Sequence, residues 1–529
     1  MNIICKSIPL CVCILMSLLA GCILVGPRYH QPDATQDPVP ESYQQLPEGK
    51  SSVGWQPAKP EDAMLRGKWW TIFKEPELDA LEDQLTINNQ NIKQFFENFM
   101  AARAIVGEAN SQLYPTLTAN ASYTRSLSGS SASRASTVTS TTPATTTSSV
   151  ATSGSSSVVS VPLAATPVTS IVASLNLSWE PDLWGKVRNT IRQAQYNAQV
   201  SNADLENERL SEQASLAMYF FEIRGQDALQ KLYNDTVAAD RKALDYTRAQ
   251  FETGVGDKIS VLEAENTLRN TQATATNIGI ARAQYANAIA VLVGKNPSTF
   301  TIPVKVLKAS PPPVPTGLPS LLIERRPDIA AAERTMAAAN AQIGIEYAAY
   351  FPSLTIGGDR GYQDASTFSQ LFKFANRFWS IGPSASETIF DAGLRQATIH
   401  QFVATYNADL AAYRQSVLTA FQQVENYLAA LRLSSQEVIQ EQLAEKAAEE
   451  YLKLQLARYE TGVDPYVNVV TAQNALLSDQ QTVINLQVQE MTAAVQLVES
   501  LGGGWDKSQL PTPHDVSKWP THAEAAIQH

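Results

Sequence analysis

Ala249-Gln250-Phe251-Glu252-Thr253-Gly254-Val255 returns 208 positions later as Ala457-Arg458-Tyr459-Glu460-Thr461-Gly462-Val463. Each copy closes a run of good helix formers. Lys186 to Phe251 contains no proline and only Gly225, and Leu394 to Tyr459 contains neither proline nor glycine. Ala, Gln, Glu, Leu and Arg dominate both runs, and these side chains lose little freedom in a helix. About 66 residues at about 1.5 Å each predict a helix about 100 Å long. A globular core has no use for such a length; a bundle or coiled coil does. Thr-Gly ends each run, the glycine supplying the left-handed C-terminal residue, and a returning helix of about 35 residues is expected beyond each turn.

The repeat extends outward from these turns. Tyr114-Pro115-Thr116-Leu117-Thr118 returns as Phe351-Pro352-Ser353-Leu354-Thr355, 237 positions on. The first copy therefore carries 29 more residues between the two landmarks than the second. They fall in the stretch 126–170, where 25 of 45 residues are Ser or Thr and Arg134 is the only charge. So little apolar surface cannot order itself, and a loop is expected there. The chain thus divides into an N-terminal extended segment, 22–75, a first repeat, 76–294, a Pro-rich linker, 295–326, a second repeat, 327–501, and a C-terminal tail, 502–529.

Inside each repeat the period changes from helical to alternating. Ile171, Ala173, Leu175, Leu177 and Trp179 alternate with Val172, Ser174, Asn176, Ser178 and Glu180. Trp379, Ile381, Ala385 and Ile389 keep the same phase, with Ser380, Gly382, Ser384 and Ser386 between them. Leu117, Ala119, Ala121 and Tyr123 alternate with Thr118, Asn120, Ser122 and Thr124, whereas glycines blur the stretch Leu354 to Tyr362. About ten alternating residues with aromatics near the ends is the pattern of a membrane barrel strand. Four strands cannot close around a pore, and lipid does not tolerate open edges, so several chains must share one barrel. Three chains supply twelve strands. The expected fold class is an all-α long-helix bundle plus a membrane β-barrel: a trimeric α/β barrel with two tandem repeats and four strands per chain. The Ser/Thr stretch then becomes an extracellular loop.

The N-terminus is consistent with export. Lys6, the apolar stretch Ile8 to Ala20 and the closing Leu19-Ala20-Gly21-Cys22 read as a lipoprotein signal over 1–21, with Cys22 as the acylated residue. Cys5, Cys11 and Cys13 lie inside that signal, so Cys22 is expected to be the only thiol left after cleavage. Two or more acyl chains anchor stably where one does not. Ile23 follows the cysteine, which directs the expectation to the outer membrane. The net charge of -11 argues against a nucleic-acid partner. No apolar run beyond the signal approaches the ~20 residues of a membrane helix.

Longer motifs resemble one family. Gly26-Pro27-Arg28-Tyr29 with Pro32, Trp69-Trp70-Thr71-Ile72-Phe73-Lys74-Glu75-Pro76-Glu77-Leu78, Arg325-Arg326-Pro327-Asp328-Ile329 and Thr461-Gly462-Val463-Asp464 occur in the order found in the TolC-like outer-membrane factors. Within these they resemble the lipoprotein branch of OprM-type efflux channels, with Arg28 standing where an acid is usual. The resemblance implies a homotrimeric, passive duct with a barrel in the outer membrane and a helical tunnel in the periplasm. It implies docking to a periplasmic adaptor (a membrane fusion protein) and an inner-membrane pump, commonly of the resistance-nodulation-division type. It implies no cofactor. Type I secretion and metal efflux remain alternatives within the same architecture.

The resemblance also implies a constriction on the helix returning from the second turn: an apolar ring followed by acidic residues. By position these fall on Val467, Asn468 and Thr471, so the ring is kept and the acids are not. The first repeat offers Ile259, Ser260 and Glu263, and Glu263 is the candidate for the charge. Gly254, Asp257, Gly462 and Asp464 are expected at the turn tips, where an adaptor would dock. An enzyme is not indicated. The five histidines, His30, His400, His514, His522 and His529, lack metal-ligand spacing, and no phosphate loop or nucleophile motif is present. A lipid-anchored stalk or adhesin is the rival of another class; it accounts for the helices but not for duplicated strand pairs.

Overall fold

A computed structural model describes residues 24–35, 38, 43–44, 55–57, 67–127, 167–306, 311–312, 314–316, 325–364 and 367–518. The described residues form two compact units. One is built from 110–184 and 349–392; the other takes 24–109, 185–348 and 393–518. The units cut across the tandem repeats, because each repeat contributes one strand pair to the first and one helical hairpin to the second.

The helical unit contains α1 (Pro76–Asn88), α2 (Gln90–Ser111), α3 (Lys186–Glu252), α4 (Lys258–Leu292), α5 (Pro327–Ala348), α6 (Leu394–Glu460), α7 (Tyr466–Ser500) and α8 (Pro513–Ser517). The repeat is kept to the residue: α3 and α6 each have 67 residues, α4 and α7 each 35. At about 1.5 Å per residue the long helices run about 100 Å. α3 packs on α4, α5 and α7, and α6 packs on α5 and α7. The seams are heptad-like. Tyr413, Val417, Ala420, Val424, Leu428 and Leu431 are the buried row of α6, and Leu210, Ala214, Ala217, Phe221, Arg224 and Ala228 that of α3. Steps of four and three put such residues on one face.

Gly225, the one glycine in α3, lies where that helix crosses α7. A Cβ there would fall well inside van der Waals contact with Val488 Cγ2, a branched side chain with little rotamer freedom in a helix. The position 208 residues later is Leu433, 54% exposed, so the two repeats differ where the helices meet.

The ends are more built than the sequence indicates. In the segment read as extended, Trp69–Phe73 forms a 3-10 turn with Trp69 fully buried, and β1 (Trp55–Pro57) pairs in parallel with β4 (Val314–Thr316) from the linker. In the tail, Thr512 and Asp515 form a capping box at the start of α8. α8 buries Val516 among Val106, Ala109, Val187, Ile191, Ala194 and Ala198.

The sheet unit contains β2 (Thr116–Ser126), β3 (Val168–Trp179), β5 (Ser353–Asp364) and β6 (Arg377–Ser386), antiparallel throughout in the order β2-β3-β5-β6. The loop expected over 126–170 gives up its ends to β2 and β3, and 128–166 lie outside the described residues. Leu117 faces Leu177, Leu177 faces Gly358 and Gly358 faces Ile381 across the four strands. Because side chains alternate along a strand, this register gathers the apolar set on one face and Ser, Thr and Asn on the other. Exposed Leu117, Leu175, Trp379 and Ile381 mark the apolar face. β2 and β6 are the two unpaired edges of the described sheet.

Candidate functional site

The turns between the long and returning helices are built alike. Gly254 (φ +75°) and Gly462 (φ +73°) adopt the left-handed conformation that stops each long helix. The hydroxyl of Thr253 donates to the carbonyls of Ala249 and Gln250 at 3.0 Å each, and that of Thr461 to Ala457 and Arg458 at 3.1 and 3.0 Å. Val255 N–H donates to Gln250 O and Val463 N–H to Arg458 O, both at 2.9 Å.

Beyond the main chain the turns differ. Asp257 caps α4, its Oδ1 accepting Ser260 N–H at 2.7 Å, and the Ser260 backbone holds its carboxyl below the usual range. Pro465 occupies the capping position of α7 and makes no side-chain cap. The preceding Asp464 instead accepts from Arg458, which holds that carboxyl low. Tyr459 donates its hydroxyl to Gln250 Oε1 at 2.6 Å and stacks at a tilt on Tyr466, centroids 5.3 Å apart. Tyr466 is buried with Leu244, Ala264, Leu268 and Val469. Burial pushes its phenol up to about 12, with Asp240, Tyr459 and Glu263 adding.

This places each residue singled out by sequence. Val467 and Thr471 lie on one exposed face of α7, one helical turn apart, and the Thr471 hydroxyl donates to Val467 O at 2.8 Å. Ile259, the counterpart of Val467, is likewise exposed. Asn468 is half-buried. Glu263 is half-buried too and lies near enough to Tyr466 to act on it, whereas its counterpart Thr471 is exposed. Gly254, Asp257 and Gly462 are at exposed turns, with Asp464 half-covered by Arg458. Cys22 lies outside the described residues. Sequence reasoning missed Arg458, Tyr459 and Gln250. A signal for them existed: the heptapeptides repeat almost unchanged, and Gln250 against Arg458 and Phe251 against Tyr459 are the two changes between them.

The sheet unit carries a second polar arrangement. On its polar face Asn120 Nδ2 donates to Asn176 Oδ1 at 2.9 Å, Asn176 Nδ2 to Asp359 Oδ1 at 2.5 Å and Ser380 Oγ to Asp359 Oδ2 at 3.0 Å. One hydrogen-bonded row thus crosses all four strands. Such a face needs water or polar cargo over it, while the opposite face is suited to lipid. Among the described residues no helix is long and apolar enough to cross a membrane.

The family model described as outer membrane efflux protein matches this chain over residues 81–295 and 318–503. The probable efflux pump outer membrane protein TtgC of Pseudomonas putida is 28% identical over 490 residues, covering 92% of this chain and 94% of that protein. Outer membrane protein OprJ of Pseudomonas aeruginosa is 27% identical over 508 residues, covering 95% and 97%. The solved outer-membrane channel OprN shares the fold with a TM-score of 0.76 at 24% identity, over 91% of this chain and all of that one.

Proposed function

This chain belongs to the outer membrane efflux protein family and is an outer-membrane channel component, and from that premise we propose that three copies close their sheets into one twelve-stranded barrel. The observation that carries the proposal is the four-stranded sheet with two open edges, polar on one face and apolar on the other. Unpaired edge groups cannot be left in lipid, so β6 of one copy pairs with β2 of the next. The polar row through Asn176 and Asp359 then lines the lumen.

The helical hairpins form the periplasmic tunnel. Its far end is narrowed by Val467 and Ile259, whose apolar side chains oppose water and ions by dewetting. Gly254, Asp257, Gly462 and Asp464 present the surface on which a periplasmic adaptor docks, with an inner-membrane pump of the resistance-nodulation-division type behind it. The chain performs no chemistry. It conducts drugs or other small molecules handed over by the pump, and Cys22, acylated, tethers each copy to the membrane. The purified protein in a planar lipid bilayer tests this reading. Discrete channel currents are expected, and a protein that inserts without conducting refutes the duct.

A further inference from the structure

The register of β5 settles the strand whose pattern the glycines blur, and it puts arginine where lipid is expected. Arg360 faces Leu175 on one side and Trp379 on the other, and Arg377 faces Tyr362. Both therefore lie on the apolar face, diagonal to each other across β5 and β6. Both side chains are exposed. Among the described residues neither guanidinium has a carboxylate partner; Arg377 lies 4.0 Å from the centroid of the Phe374 ring. A guanidinium on the lipid side of a barrel is disfavoured in proportion to its depth.

Next to these arginines the apolar face is hollow. Gly358 has no side chain between Leu177 and Ile381, and a groove of about 470 Å³ opens there, walled by Leu175, Leu177, Trp379 and Ile381 and ending at Arg360 and Arg377. The arginines lie toward the end where β5 turns into β6, whereas the other end of each strand runs on to a helix. Tyr362, Phe368 and Phe372 form an edge-to-face cluster at that same end, the composition of a headgroup-level girdle. The one acid on this face, Asp364, lies beyond the arginines toward the loop and accepts from Asn376 Nδ2 at 2.6 Å.

We infer that this groove is a binding site for a phosphate-bearing lipid of the outer leaflet, with an acyl chain over Gly358 and the phosphate on Arg360 and Arg377. The inference rests on the reading of the sheet as barrel wall with its loop end outward. Charge complementarity selects the occupant: two planar forks without an acid suit phosphate, and a trough at lipid depth suits a hydrocarbon chain rather than a protein segment. The groove lies on one face of β3, β5 and β6, and pairing of β6 with the next copy's β2 runs in the plane of the sheet, so that face stays open.

The test uses the full chain, purified as the oligomer in nonionic detergent. It is titrated with bisphosphorylated lipid A, with the dephosphorylated lipid and with inorganic phosphate, and occupancy is read by native mass spectrometry. Binding of the phosphorylated lipid is expected to be at least about tenfold tighter than that of the dephosphorylated one, with inorganic phosphate unable to compete. Arg360→Gln with Arg377→Gln should erase that preference. Gly358→Leu should weaken both lipids, because it fills the trough and leaves the arginines. A Cβ at Gly358 meets Ser380 O at 3.6 Å and Ile381 Cγ1 at 3.8 Å, ordinary contact, so the strand admits a side chain there without a shift. A preference that survives the double substitution, equal binding of both lipids or competition by inorganic phosphate overturns the site. Bilayer currents from the same preparation separate the two failures: normal currents without the preference sink the site alone, and absent currents sink the barrel reading with it.

Discussion

Arg458 grips Asp464 across the second helical turn, Nε to Oδ2 at 2.5 Å and Nη2 to Oδ1 at 3.0 Å. The residues 208 positions earlier are Gln250 and Gly256, so the first turn has no such clasp. It is held from outside instead, through Tyr459 and Gln250. Neighbouring residues of α6 thus secure both tips. Arg458→Ala should loosen the second turn and raise resting conductance in a planar bilayer by about twofold or more, as side chains at a constriction withdraw. Tyr459→Phe keeps the ring packing and should do less. Equal conductance in Arg458→Ala and wild type would remove the clasp from the gate.

The clasp has a defined pH dependence. Arg458 holds the Asp464 carboxyl below its ordinary value of 3.8. Its contribution is therefore complete above that value and is lost only as pH falls through the lower folded one. Resting conductance should stay constant from neutral pH to about pH 5, and Asp464→Asn should leave that flat profile unchanged while raising its level.

On the proposed reading of Val467 as the seal, Val467→Ala removes methyls from it and should raise resting conductance. Thr471 is exposed one turn further on, so Thr471→Asp should increase cation preference. Glu263 is half-buried near Tyr466, and Glu263→Gln is expected to change selectivity less than Thr471→Asp does. Reversal potentials in a salt gradient measure both, and a larger shift from Glu263→Gln would return the charge to the first repeat.

Stability should depend on Asp227. This carboxylate, 2% exposed, accepts from Arg282 Nε at 2.6 Å, Arg224 Nη1 at 3.4 Å and Lys305 N–H at 2.9 Å. It joins α3 to α4 and to the chain entering the linker. Asp227→Ala leaves the Arg282 guanidinium without its carboxylate and the buried Arg224 with Glu77 alone, at a cost of about 3–5 kcal/mol. A urea midpoint unchanged from wild type would mean that solvent reaches the cluster.

Glu499 should act in the opposite sense. Burial pushes its carboxyl from 4.5 up to about 7, with Arg326 opposing and Asp328 adding. The unfolded chain ionises first as pH rises, so the fold is disfavoured progressively between about pH 4.5 and 7, by on the order of 3 kcal/mol. Glu499→Gln should flatten that slope and leave the protein more stable at neutral pH. Parallel slopes in the two proteins would place Glu499 in water.

Much of this was legible in the sequence because the chain states it twice. The helices of 67 and 35 residues follow from the absence of breakers and from the repeated Thr-Gly, and three of the four strands from plain alternation. What the sequence concealed depends on partners brought from elsewhere in the chain. No local pattern pairs Tyr459 with Gln250, or docks α8 against α2 and α3. β5 was obscured because Gly357, Gly358 and Gly361 carry no side chain to mark a face. Its arginine became meaningful only once the register set it beside Leu175 and Trp379.

A closed barrel requires that the four strands of each chain be completed by other copies. The protein mass of the detergent-extracted particle, from light scattering corrected for bound detergent, tests it most directly. A monodisperse particle of three chains is expected, about 170 kDa of polypeptide at no more than 57.6 kDa each. A monodisperse single chain that conducts would contradict it, because a four-stranded sheet alone cannot surround a pore.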